Sequence, residues 1–130
     1  MPVLKQGDVL FEETIPPSGR ERVALFSEAT EDPNPIHVDD AFAHKAGFKT
    51  VLQQGPMTTA QFARLLGKAV GEDAVKSLDV TFTAPVYPDD TLILRAEVDE
   101  PGRITRCVLS AMKSDGTQTA KGVAEVSVQP

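Results

Sequence analysis

The sequence predicts an α+β fold in which helices and strands occupy separate parts of the chain. Three observations carry this. A strongly apolar helical stretch opens at Gly55-Pro56 and runs to about Val70. After it, four segments alternate apolar and polar residues at the period of strands. Before it stand one short strand pattern and two helical ones. A curved antiparallel sheet wrapped around the long helix accounts for apolar residues over most of that helix's circumference.

Each element has a local cause. Gly7-Asp8 turns the chain into a strand at Val9-Leu10-Phe11, which Pro16-Pro17 breaks. Ser18 to Glu21 fits a capping box, with Ser18 as N-cap, opening a helix with Val23, Phe26 and Ala29 on one face. Asp32 and Asn34 each precede a proline, which disfavours helical backbone, so this helix must end near Glu31. Asp39 caps a second short helix, with Phe42, Ala43 and Ala46 inward and Gly47 closing it. Lys49 to Gln54 is a connector. Proline is favoured at the first helical position, so Gly55-Pro56 starts the third helix and Gly71 ends it. Lys76 to Val86, Thr91 to Glu100, Ile104 to Lys113 and Thr119 to Val128 read as strands of an antiparallel meander. Turns fall at Pro88-Asp89-Asp90, Pro101-Gly102 and Asp115-Gly116. Residues 1–130 read as a single domain without repeat or linker.

Composition narrows the function. The net charge of −6 argues against a nucleic-acid or anionic-membrane surface. No apolar run is long enough to span a bilayer, and the N-terminus lacks a basic-then-apolar signal pattern, so the expectation is a soluble cytoplasmic protein. Cys107, the single cysteine, lies in an apolar strand pattern and reads as a core residue of a protein from a reducing compartment. Two histidines and one cysteine leave no ligand set for a protein-only zinc site.

Chemistry concentrates in Ala29-Thr30-Glu31-Asp32-Pro33-Asn34-Pro35-Ile36-His37. A carboxylate and an imidazole stand five positions apart on a segment stiffened by two prolines, which suits a site where an acid and a base must hold one geometry. Taken alone, Asp-Pro and Asn-Pro are also ordinary turn starters, and His37 could be a packed histidine. His44, on the second helix beside Lys45, reads as solvent-facing.

The motif from Ala29 to Asp39, followed by Ala41-Phe42-Ala43, resembles the hydratase-2 motif of the MaoC-like family, which includes the (R)-specific enoyl-CoA hydratases. Phe82-Thr83-Ala84-Pro85-Val86-Tyr87-Pro88-Asp89-Asp90-Thr91-Leu92 resembles the strand and turn of the same family, and Gly55 stands where the family has a glycine opening its central helix. The likeness runs from about Gly7 to Val128. It implies the hot dog fold, a sheet wrapped around a central helix, and a homodimer or higher homo-oligomer. The implied activity is hydration of a trans-2-enoyl thioester of coenzyme A or of an acyl-carrier protein to the (R)-3-hydroxyacyl thioester, or the reverse dehydration. Alternatives within the fold are an acyl-CoA thioesterase and a non-catalytic acyl-binding or scaffold subunit.

By the same resemblance, Asp32 and His37 are catalytic and together activate one water. Asn34 fixes the site, the Gly55 backbone N–H binds the thioester carbonyl oxygen, and Gln54 contacts the substrate. No metal and no added cofactor are implied, since the coenzyme A thioester is the substrate. Many members carry histidine before the helix glycine and methionine after it, where this chain has Gln54 and Pro56. Lys49, Arg64, Lys68 and Arg95 are candidates for pairing with coenzyme A phosphates, although each singly reads as an ordinary solvated charge.

Overall fold

The computed structural model describes residues 3–128. Its strands are β1 (Val9–Ile15), β2 (Val75–Phe82), β3 (Leu92–Glu100), β4 (Thr105–Lys113) and β5 (Gln118–Val126). Its helices are α1 (Arg20–Ala29), α2 (Asp40–Lys45) and α3 (Gly55–Val70), with 3-10 turns at Pro35–His37 and Glu72–Ala74. All strand pairs are antiparallel, in the order β1-β3-β4-β5-β2. This is the expected α+β arrangement, a sheet with α3 laid on its inner face.

The expected alternation sets that inner face. Leu92, Leu94, Ala96 and Val98 of β3, Cys107, Leu109 and Ala111 of β4, and Ala120, Ala124 and Val126 of β5 are all buried. Phe62, Leu65 and Leu66 of α3 pack against them. Burial pushes the Cys107 thiol up, as the core placement requires. Small side chains on β5 let neighbouring backbones approach. At Gly122 a Cβ would overlap the carbonyl oxygen of Asp79 on β2, so only glycine fits there.

Several expectations change. The meander holds only for β3-β4-β5. β2 lies on the far side of β5 and reaches β3 through the crossover 83–91. Adjacent strands in sequence need not pair, and the alternation pattern carries no information about which edge a strand joins. Secondly, α3 is only half enclosed. Thr58, Phe62, Leu65 and Leu66 are buried, but Ala60 and Ala63 are exposed with Arg64 and Lys68, because five strands curl around one side of the helix only. Thirdly, Ser18 does not cap α1. Gly19, at φ 80°, turns the chain so that its N–H bonds Pro88 O at 2.8 Å, and the N-cap falls one residue later with no side-chain cap. The buried residues of α1 are Val23 and Ser27, while Ala29 is exposed. Asp39 does cap α2, accepting from Ala41 N and Phe42 N. Of the three residues expected inward there, Ala43 alone is buried.

Asp40 ties three segments together. Arg20 Nη2 donates to Asp40 Oδ1 at 3.0 Å, and the same oxygen accepts Val51 N at 3.2 Å. The Arg20 bond first, and then the Val51 N–H, hold the Asp40 carboxyl below the usual carboxylate range. A carboxyl lowered in the folded state stabilises the fold above its unfolded pKa. That contribution is lost as pH falls through the folded value. The stability difference between wild type and Asp40→Asn, read by urea unfolding, is therefore expected to be small and constant above about pH 5 and to shrink below about pH 4. A difference independent of pH across that window would remove the tether.

Candidate functional site

The Asp32–His37 loop begins where α1 ends. Thr30 is the C-cap of α1, and Glu31 takes the left-handed conformation at φ 54°. Glu31 N bonds Glu28 O at 3.2 Å and Asp32 N bonds Ser27 O at 2.9 Å. These two bonds make a Schellman turn with glutamate in place of the usual glycine. The pre-proline residues then run extended, and Asn34 (φ −66°, ψ 114°) caps the 3-10 turn through Oδ1 to Ile36 N at 3.1 Å. The backbone N–H of Asn34 donates to Asp32 Oδ1 at 3.0 Å. Asn34 therefore holds both Asp32 and the turn that carries His37.

The two side chains meet. His37 Nε2 lies 3.4 Å from Asp32 Oδ2, with His37 12% exposed and Asp32 33%. His37 Nδ1 lies 2.8 Å from Leu52 O. A carbonyl can only accept, so Nδ1 carries the proton and a neutral ring presents the Nε2 lone pair to the carboxylate. Two acceptors then face each other. A group donating two protons, such as a water, satisfies both, and an imidazolium pairs directly.

The connector 51–54 brings the loop to α3. Leu52 N donates to Ile36 O at 3.0 Å, beside the bond from His37 to Leu52 O, and Gln53 N donates to Val86 O at 2.8 Å in the crossover. That crossover is closed by Asp90, whose Oδ2 accepts Tyr87 N at 2.8 Å and pairs with Lys113 at 3.0 Å. Three residues after Leu52, α3 begins. Among the described residues no hydrogen bond uses the N–H of Gly55, Pro56 has none to give, and Met57 N turns back to Gln54 O at 3.1 Å. The Gly55 N–H is thus a free donor at the positive end of a sixteen-residue helix. It lies on an apolar cavity of about 310 Å³ with Phe48, Leu52, Phe82, Pro85 and Val86. Asp32 lines a separate depression with Ser27, Pro33 and Val38. In one chain, the Asp32–His37 pair and the start of α3 are linked through the connector, but Asp32 and Gly55 line different cavities.

Gln54 differs most from its expected role. Its side chain is 2% exposed and turned under α1, where Nε2 donates to Ser27 Oγ at 2.6 Å and Val23 O at 2.8 Å. Its donors are taken by the protein itself. The sequence reading also missed the Leu52 carbonyl, the Ser27 hydroxyl and the Phe82 ring, since no local signal marks a main-chain acceptor or a distant packing partner. Of the basic candidates, Arg95 is held between Glu12 and Glu97 at 2.8 Å each. Lys49 Nζ stands 4.7 Å over the Tyr87 ring. Arg64 and Lys68 line a cavity of about 300 Å³ with Arg22. His44 is exposed, as expected. Among the described residues no three His, Cys, Asp or Glu side chains are grouped to hold a metal ion.

A five-stranded antiparallel sheet carrying one long helix is the hot dog arrangement, here with an Asp–His pair on a loop that the connector 51–54 ties to the helix start. The chain belongs to the MaoC-like domain family, which it matches over residues 4–121. It is 33% identical over 91 residues to a mitochondrial 3-hydroxyacyl-[acyl-carrier-protein] dehydratase of Arabidopsis thaliana, covering 70% of this chain and 54% of that protein. It is 32% identical over 82 residues to the (R)-specific enoyl-CoA hydratase of Aeromonas caviae, covering 62% of this chain and 61% of that one. These alignments thus span little more than half the length of either relative. A solved (R)-hydratase of Aeromonas caviae involved in PHA biosynthesis superposes with a TM-score of 0.83 at 25% identity, over 97% of this chain and 98% of that one. One chain of the ChsH1–ChsH2 complex of Mycobacterium tuberculosis superposes with a TM-score of 0.84 at 20% identity, over 96% of this chain and 98% of that one.

Glycine at position 55 has a steric cause besides its amide. A Cβ there would stand 2.7 Å from Cε2 and 2.8 Å from Cζ of Phe82. Gly55→Ala should therefore lose about 1–3 kcal/mol of stability by overpacking. Adding Phe82→Leu should recover most of it. Thermal unfolding of the two variants checks this, and an undiminished Gly55→Ala would show that the ring moves aside freely.

Proposed function

We propose that this protein is an (R)-specific enoyl-thioester hydratase, or the dehydratase running in reverse, acting on a coenzyme A or acyl-carrier-protein thioester. The observation that carries the reading is the Asp32 Oδ2–His37 Nε2 approach of 3.4 Å with Nδ1 held by Leu52 O. A water about 2.8 Å from each acceptor donates one O–H to either side. In hydration, the water oxygen bonds to C3 of the enoyl group and the C2–C3 double bond opens. Negative charge then develops on the thioester carbonyl oxygen. The Asp32–His37 pair takes one proton from the water and gives one proton to C2, while the water's second proton stays on the new C3 hydroxyl, so the pair ends as it began. The Gly55 N–H is the donor for the carbonyl oxygen. Such donors are worth about 3–4 kcal/mol in related acyl chemistry. Addition of water is redox-neutral, so the balanced reaction calls for no redox cofactor.

The working unit on this reading is a homo-oligomer, at least a dimer. Two things support it. Ala60 and Ala63 leave one side of α3 uncovered, and Phe82 is 48% exposed on the edge strand β2.

The test mixes pure protein with crotonyl-CoA, follows the absorbance of the conjugated double bond, and titrates free thiol in parallel. Loss of the double bond without thiol release is expected. Thiol release would make the protein a thioesterase, and neither signal would leave an acyl-binding role. Asp32→Asn and His37→Ala should each lower kcat by about a hundred- to ten-thousandfold with the fold intact. Near wild-type turnover in either would remove the acid–base assignment.

A further inference from the structure

Ser27 joins the two halves of the candidate site. Its carbonyl accepts Asp32 N at 2.9 Å, closing the turn that presents the carboxylate. Its hydroxyl accepts Gln54 Nε2 at 2.6 Å, and the same amide group also holds Val23 O one helical turn earlier. Gln54 is the residue before Gly55, whose N–H is the free helix donor. An unbroken path of short polar contacts therefore runs from the carboxylate loop, through Ser27 and Gln54, to the start of α3. Gln54 and Ser27 are both buried, at 2% and 7% exposure, so solvent does not compete for these bonds.

Two locally unfavourable features stand at the ends of this path. Glu31 is held at φ 54°, which costs a side-chain-bearing residue conformational energy. Gln54 Oε1 is buried without a partner, a destabilising state that an apolar side chain of the same length would avoid. Unfavourable groups held at a site point to placement rather than stability as their use.

We propose that Gln54 is a positioning residue of the reaction: through Ser27 it sets the Asp32 carboxylate in register with the Gly55 amide. The inference rests on the hydratase reading above. A group held by two protein acceptors acts on the substrate only by where it puts Asp32 and Gly55, and misplacement of reacting groups by about an ångström costs up to a hundredfold in rate.

Gln54→Met keeps the side-chain length and removes both donors. With crotonyl-CoA, kcat should fall between about ten- and a hundredfold while KM stays within about twofold. The melting temperature should not fall in proportion, because the unpaired carbonyl is also gone. Ser27→Ala should act in the same direction and carries the same test if Gln54→Met does not fold. The double variant should be no slower than the worse single one. In an Asp32→Asn background, Gln54→Met should cost clearly less than in the wild type, because one of the two groups whose register it sets is already lost. A Gln54→Met enzyme as fast as wild type would overturn the positioning role alone, leaving the hydratase reading intact. So would an equal fold-loss in the Asp32→Asn background, which would mark a general structural role. A wild type that does not hydrate at all would overturn both.

Discussion

The hydrogen bond between His37 Nδ1 and Leu52 O is the contact on which the site depends. At 2.8 Å it puts the proton on Nδ1 and leaves Nε2 to face Asp32. It also couples two segments that no secondary structure joins, the proline-stiffened loop and the connector entering α3. Leu52 N bonded to Ile36 O doubles the link, and Gln53 N bonded to Val86 O anchors the connector from the other side. A donor, an acceptor and a helix start are thereby held by main-chain atoms. Main-chain atoms have little freedom once their neighbours are ordered.

The sheet supplies the frame for that link. Gly122, pressed against Asp79, lets β2 close on β5, and α3 packs Phe62, Leu65 and Leu66 against the inner face. The helix start then falls beside Phe82, the last residue of edge strand β2, and any side chain there would have to push the Phe82 ring aside. The requirement for glycine at position 55 is thus as much about the Phe82 ring as about a ligand's approach to the amide.

Local strain and polar burial gather at the same place. The left-handed Glu31 and the unpaired Gln54 Oε1 flank Ser27. A further unpaired buried hydroxyl, Ser18 Oγ, precedes α1, while the strands alternate, Asp39 caps α2 and a buried free cysteine sits in the core. Gln54 fills the space under α1 with two donated bonds.

Much was legible in the residues themselves. The end of α1, the start and stop of α3, the Asp39 cap and the inward set of β3 follow from proline geometry, capping and period-two alternation, all of which act within a few residues. The pairing of Asp32 with His37 was legible too, because both lie on one short stiff segment. Tertiary structure alone decided that β2 joins β5 instead of β3, that α3 is covered on one side only, and that the Gln54 amide donates to Ser27 and Val23 of α1. These depend on which surfaces meet across large separations in sequence. Local patterning sets what a face is made of but leaves open what it is placed against.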